Sequence, residues 1–206
     1  MPWIATELID GQKGIDRLDA PNTTQFEDLY NDGYTFYIGY TQTMTADDMS
    51  NAAYTGQSVM LVQGYYTNMA ESASASSRAS EAVQQAKAIT YPTGTNLWLD
   101  WESQLGVSAS KSESWCNEWA STVSASGYIP GLYVGPDQNM TATDLGNLHF
   151  NHYWRSASTV PDVSGRGYQM TQGDQESFSY ITNVDPDTVK TDNDGGLPYA
   201  AFWTNR

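Results

Sequence analysis

The sequence predicts an α/β chain folded as a TIM-like (β/α) barrel with reduced helices in its C-terminal third. Three observations carry this expectation. Over the first two-thirds, short apolar runs alternate with longer polar or Ala-rich segments, a βαβαβαβαβ pattern that calls for parallel strands. The run Val59-Met60-Leu61-Val62 is apolar without interruption, as in a strand buried on both faces. The chain has 206 residues, near the short end for such a barrel, typically about 250. One domain over 1–206 accounts for all of it, with no linker and no internal repeat.

Gly14 to Leu18 reads as the first strand. A helix follows from Asn22 to Gly33, with Asn22 or Thr23 as cap, Phe26, Leu29 and Tyr30 on one face, and Gly33 as stop. Thr35 to Tyr40 is a second strand, Thr45 to Gly56 a short capped helix, and Val59 to Tyr66 a third strand. The Ser/Ala-rich stretch from Glu71 to Ile89 resembles a linker. Ala75, Ala79, Ala82, Ala86 and Ile89 nevertheless recur at three- and four-residue spacing, which predicts a helix with a small-residue face. Asn96 to Glu102 is a fourth strand, and Ser108 to Gly127 a long helix with Trp115, Trp119 and Val123 on one side. Ile129 to Gly135 is a fifth strand, Thr143 to Leu148 a stub of helix, and His149 to Trp154 a sixth strand. Gly167 to Met170 and Tyr180 to Asp185 read as the last two, joined by a hairpin-like loop.

Composition narrows the function. Asp and Glu number 24 against 9 Lys and Arg, a net charge of -15, which excludes the basic patch that nucleic acid needs and disfavours anionic membranes. Only 16% of residues are charged, against roughly 25% in typical soluble chains. Ser, Thr, Asn, Gln and Tyr supply the polarity instead, as in secreted proteins. Cys116 is the one cysteine, so no internal disulfide forms, and it reads as a small buried helix residue. His149 and His152 sit three apart on a predicted strand and point to opposite faces, which disfavours a metal pair. No run of 18 apolar residues suggests a membrane span. The N-terminus lacks the basic and apolar regions of a signal peptide. Export then needs another route, such as phage lysis, or a leader not included in this sequence.

The placement of the acids is more informative than their number. Two acids separated by one residue arise by chance about three times in such a composition, so the pattern alone is weak. Here it ends an apolar strand, Leu97-Trp98-Leu99-Asp100-Trp101-Glu102. Alternation points Asp100 and Glu102 the same way, roughly 7 Å apart along the strand. Strand ends form the active face of a parallel barrel. Asp16 lies in the first strand and Asp185 ends the last, and barrel closure makes those strands neighbours. Four carboxylates thus converge on one mouth, with Trp98, Trp101, Tyr133, Tyr153 and Trp154 available as apolar walls. Clustered like charges against such walls raise one another's pKa values. A protonated carboxyl beside an ionised one is the equipment for glycosidic bond cleavage. Asp19, next but one to Pro21, reads as a turn acid.

At these residues the chain resembles glycoside hydrolase family 25, the Chalaropsis-type lysozymes, and the related glycoside-hydrolase-like (DUF1906-type) barrel domains. Gly14-Ile15-Asp16 is similar to the opening strand motif, and Gly64-Tyr65-Tyr66 to the third-strand region. Leu99-Asp100-Trp101-Glu102 is similar to the D-x-E signature, and Gly131-Leu132-Tyr133 to the fifth strand. His152-Tyr153-Trp154, Tyr168-Gln169-Met170 and Val184-Asp185 are similar to the later motifs. The resemblance implies a muramidase that cleaves the β-1,4 bond between N-acetylmuramic acid and N-acetylglucosamine in peptidoglycan. It implies Glu102 as general acid, Asp100 as stabiliser of the transition state or an intermediate, and Asp16 and Asp185 as positioning acids. Tyr65, Trp101, Tyr133, Trp154 and Gln169 are the expected substrate-binding residues. No metal or organic cofactor is implied, and a monomer is expected. The chain departs from the family at Asp16-Arg17-Leu18-Asp19, where D-V-S is common, and at Tyr65-Tyr66-Thr67, where Y-H-F is common. Two other readings stand beside this one: a non-catalytic carbohydrate-binding barrel of a phage particle or cell surface, and a hydrolase of another polysaccharide or of a peptide bond in the wall.

Overall fold

A computed structural model describes residues 3–194 and 196–204. Met1 and Pro2, the start of the N-terminal segment that lacks signal-peptide features, lie outside the described residues. In chain order the elements are β1 (Trp3–Glu7), β2 (Lys13–Arg17), α1 (Thr23–Asn31), β3 (Tyr34–Tyr40), α2 (Ala46–Thr55), β4 (Ser58–Gln63), α3 (Met69–Ser72), α4 (Ala75–Ala88), β5 (Asn96–Trp101), α5 (Ala109–Ala125), β6 (Ile129–Val134), α6 (Ala142–Gly146), β7 (His152–Arg155), β8 (Met170–Gln172), β9 (Asp185–Val189) and β10 (Tyr199–Trp203).

Strands β2 to β8 run parallel, each beside the next. β9 pairs antiparallel with both β8 and β2 and closes the ring. The barrel is therefore the predicted one, with its eighth strand reversed. The reversal follows from the connection: no crossover helix lies between β8 and β9, and a chain that returns directly pairs antiparallel. β9 also starts where the predicted last strand ended. Tyr180 and Ile181 belong to the preceding loop, and Pro186 sits at the second strand position, where a missing N–H is tolerated.

The helices form where their end signals lie. Asn22 and Thr45 each close a capping box with the residue three positions on, Gln25 and Asp48. Gly56 ends α2 in the left-handed conformation at φ 92°. The predicted helix from Glu71 to Ile89 is broken: Ala73 is extended and Ser74 caps α4 anew. The Ala stripe of α4 is buried, as the spacing predicts, and α4 packs beside α5.

Two apolar layers result. One lies between barrel and helices and includes Leu61, Leu99, Trp101, Trp115 and Trp119. The other fills the barrel with Phe36, Ile38, Met60, Val62, Trp98, Trp154, Met170 and Val189. Gly131 is obligatory here, because a Cβ would collide with the Trp98 ring. Two strands were not foreseen. β1 and β10 pair antiparallel, and β10 meets β4 at Ala201 and Val59, below the point where β5 takes over at Leu61. Leu8 and Ala200 then plug the barrel floor, and the Tyr199 N–H donates to Asn96 Oδ1 at 2.7 Å. His152 faces this floor, with its Nδ1 3.0 Å from the same oxygen, whereas His149 is exposed. No helix among the described residues is long and apolar enough to cross a membrane.

Candidate active site

The C-terminal strand ends of the barrel surround a cleft of about 400 Å³. Asp16, Tyr40, Gly64, Tyr65, Asp100, Glu102, Tyr133, Gln172 and Asp185 are among its lining residues. All four predicted acids therefore share one mouth. Alternation along β5 puts Asn96, Trp98 and Asp100 inside the barrel and carries on to Glu102, just past the strand end. β2 and β9 pair with Asp16 directly opposite Asp185.

A fifth acid joins them. Asp187 lies two residues along β9, on the same face and one step deeper. It is 1% exposed, accepts a 2.8 Å hydrogen bond from the Trp154 indole at Oδ1, and has no partner for Oδ2. The sequence reading ended the last strand at Asp185 and so missed it. The period-2 spacing of two acids flanking the proline was the available signal.

The electrostatics follow from burial. Desolvation, opposed by the Gln172 hydrogen bond and reinforced by the charges of Asp185 and Glu102, pushes Asp16 up to about 8. Asp187 is likewise held well above the usual carboxylate range, by burial first and then by Asp16. The two form an acid pair, Asp16 in the cleft wall and Asp187 beneath it. The Gln172 amide donates to Asp16 Oδ2 at 2.7 Å, and the Tyr133 hydroxyl donates to Gln172 Oε1 at 2.9 Å. Asp100 is buried with one orphaned oxygen, and burial plus the charges of Glu102 and Asp16 raise it well above its ordinary value. Glu102 is half-buried. Desolvation and the charge of Asp137 raise its pKa, while the Tyr65 hydroxyl against its carboxyl favours the ionised form. Gly135 makes this placement possible, because a Cβ there would stand 2.5 Å from Glu102 Cβ and Oε2. The cleft thus holds a half-buried acid with raised proton affinity, beside a second carboxyl that water cannot solvate.

The aromatic expectations divide. Tyr65, 40% exposed, and Tyr133 line the cleft. Trp101 does not: it lies between Asp100 and Glu102 on the strand, so alternation turns it outward against Trp115, with ring centroids 5.5 Å apart. Trp154 lies under Tyr133, 4.5 Å between ring centroids, and is 1% exposed, so it supports the wall rather than touching the cleft. Gln169 is buried at the entrance to β8, away from the mouth, where its carbonyl oxygen accepts from the Tyr153 N–H and its amide donates to Asp192. Expectations of substrate contact by Trp101, Trp154 and Gln169 are corrected accordingly. Tyr40 and Gln172, unnamed by the sequence reading, take their places at the cleft. Among the described residues, no group of three or more His, Cys, Asp or Glu side chains is arranged to hold a metal ion.

The acids gather at the C-terminal strand ends, the face where parallel β/α barrels carry their functional groups. The profile of the Rv2525c-like, glycoside hydrolase-like domain matches residues 27–194, and the chain belongs to that family. The matched range holds Asp100, Glu102, Asp185 and Asp187; Asp16 precedes it. Three solved structures share the fold. An uncharacterized protein of B. stearothermophilus aligns with TM-score 0.67 at 18% identity, over 87% of this chain and 96% of its own. The catalytic domain of endolysin ply40 from Listeria monocytogenes bacteriophage P40 aligns with TM-score 0.61 at 14% identity, over 87% and 93%. The spore cortex lytic enzyme SleM of Clostridium perfringens aligns with TM-score 0.54 at 11% identity, over 91% and 70%. No curated protein matches the sequence.

Proposed function

We propose that this protein is a peptidoglycan hydrolase of the muramidase type, with Glu102 as the acid that protonates the leaving glycosidic oxygen. One observation carries the reading: Glu102 sits half-buried at the lip of a cleft, its proton affinity raised by desolvation, beside the buried carboxyl of Asp100. A glycosidic bond needs a proton donor on its oxygen and negative charge near the positive sugar centre. Glu102 supplies the first; Asp100 supplies the second, because protonation of Glu102 removes one of the charges that raise the Asp100 pKa and a positive sugar centre beside it favours the ionised carboxylate. Asp16 and Asp185, across the cleft, position sugar or water, and Tyr65 and Tyr133 give the sugar faces aromatic surface. The structurally similar proteins named as endolysin and spore cortex lytic enzyme support the cell wall as the place of action and peptidoglycan as the substrate class. The chain works as a monomer outside the cell.

Glu102→Gln tests this. The amide keeps size and hydrogen bonding but cannot deliver a proton. The variant is expected to fold, to bind wall material, and to lose at least a hundredfold in wall lysis, the low end of what general acid catalysis contributes, about 10²–10⁴. Normal lysis by the variant rejects the assignment. Binding of purified peptidoglycan by the unaltered protein with no release of reducing ends favours the carbohydrate-binding reading.

A further inference from the structure

The two loops that meet over Glu102 are joined by a buried amide that the proposed chemistry does not use. Gln104 is 0% exposed and spends its whole side chain on main-chain groups. Its Nε2 donates to the carbonyl of Glu102 at 2.6 Å and to the carbonyl of Tyr66 at 2.8 Å. Its Oε1 accepts the Met69 N–H at 2.8 Å. Asn68 adds two more ties, its N–H to the Ser103 carbonyl at 3.0 Å and its Oδ1 from the Gly106 N–H at 2.8 Å. Four of these hydrogen bonds join the loop after β4, which carries Tyr65, to the loop after β5, which carries Glu102, and the fifth ties Gln104 back to the Glu102 main chain.

Both loops hold a non-glycine residue in the left-handed region, Asn68 at φ 50° and Ser103 at φ 56°. Such backbone is strained where a side chain resists it, and persists only where surrounding contacts over-determine it. The second loop is also anchored from its other side, by Ser103 N–H to the Pro136 carbonyl at 3.0 Å and Gln104 N–H to the Asp137 carbonyl at 2.9 Å. The loop carrying Tyr65 is anchored from α4, where Arg78 Nη2 donates to the Gly64 carbonyl at 3.1 Å and the guanidinium lies 4.4 Å from the Tyr66 ring centroid. Gln104 holds the Glu102 main chain and the loop of Tyr65 at once.

We propose that Gln104 is a positioning residue: by tying the backbone of Glu102 to the loop of Tyr65, it fixes the Tyr65 hydroxyl against the Glu102 carboxyl. Glu102 is faced by Tyr65 from the loop after β4 and by Asp137 from the loop after β6. Asp100 from β5, Asp16 from β2, Tyr40 from β3 and Tyr133 from β6 also feel its charge. Of these, the Tyr65 hydroxyl is the group that favours the ionised form. Loosening the tie withdraws that donor, so Glu102 holds its proton to higher pH. Gln104 therefore tunes the pH range over which the acid stays loaded. This role rests on Glu102 being the acid, but its test does not need turnover.

The test is a carbon-13 NMR titration of the Glu102 side-chain carboxyl in the full chain and in Y65F, Q104M, N68G and Y65F/Q104M. Met fills the Gln volume without hydrogen bonds, and Gly keeps the Asn68 backbone while removing its carbonyl oxygen. Y65F is expected to raise the Glu102 midpoint by about 0.4–1 pH unit, the equivalent of one hydrogen bond of ordinary net strength. Q104M is expected to raise it in the same direction by at least half as much, and the double variant no further than Y65F alone. N68G raises it less, and decides the matter if Q104M does not fold. In kcat/KM the alkaline limb moves upward by the same amount. A midpoint unmoved in Q104M, or in N68G where Q104M fails to fold, overturns the proposal, as does a midpoint unmoved by Y65F. Wall lysis by Glu102→Gln sinks the acid assignment instead, and leaves the loop tie untouched.

Discussion

Neutralising Asp16 should stabilise this protein while disarming it. Asp16 is 2% exposed, and burial pushes its pKa from 3.8 up to about 8. Between those values the folded protein holds a proton that the unfolded chain has released. Folding stability therefore falls as pH rises from about 4 to about 8, and levels off above. At pH 7 the cost of keeping Asp16 protonated approaches about 4 kcal/mol, at 1.36 kcal/mol per pH unit. That is an upper bound, because Asp187 shares the burden and the Asn amide is itself desolvated. Asp16→Asn keeps an oxygen for the Gln172 amide and needs no proton, so we expect a gain of about 2 kcal/mol at pH 7. In a chain of this size each kcal/mol moves the melting temperature by about 2–4 °C. Thermal unfolding should show variant and parent together at pH 4, and the variant about 4–8 °C higher at pH 7. A gap independent of pH, or a variant less stable at pH 7, refutes the reasoning.

Three further outcomes follow from the same geometry. Gly135→Ala places a methyl group 2.5 Å from Glu102 Cβ and Oε2, so it should displace the acid and cost about 100-fold in lysis, with about 1–3 kcal/mol of stability lost by denaturant titration. Trp154→Phe removes the donor at Asp187 Oδ1 and leaves a buried carboxyl without it, a loss of about 2 kcal/mol that is larger in alkaline than in acidic solution, because the lost bond favours the ionised form. The net charge of -15 repels polyanionic walls, and salt screens that repulsion. Lysis measured from low to moderate salt should stay level or rise, and a steep fall contradicts recognition by local contacts in the cleft.

Much of the barrel was legible because its signals are local. The capped helices after Asn22 and Thr45, the Ala stripe from Ala75 to Ala86, and the D-x-E at the end of β5 each follow from neighbours within a few residues. Asp100 and Glu102 face the cleft together because strand alternation admits nothing else. The same alternation turns Trp101 away from the cleft and onto Trp115, so an aromatic ring beside the acids in sequence is not a wall of their site. What remained hidden depends on partners distant in the chain. β1 and β10 are strands only because they pair with each other and with β4. Asp187 was masked by the proline before it, which reads as a break until β2 and β8 flank it. Gln104 carries no pattern at all: its role exists only where two loops meet.

The most direct test of the central claim is mass spectrometry of the soluble fragments released from purified peptidoglycan by the protein and by Glu102→Gln. The account predicts disaccharide peptides with N-acetylmuramic acid at the reducing end from the first, and none above background from the second. Fragments cut at peptide bonds, or equal release by both, contradict it.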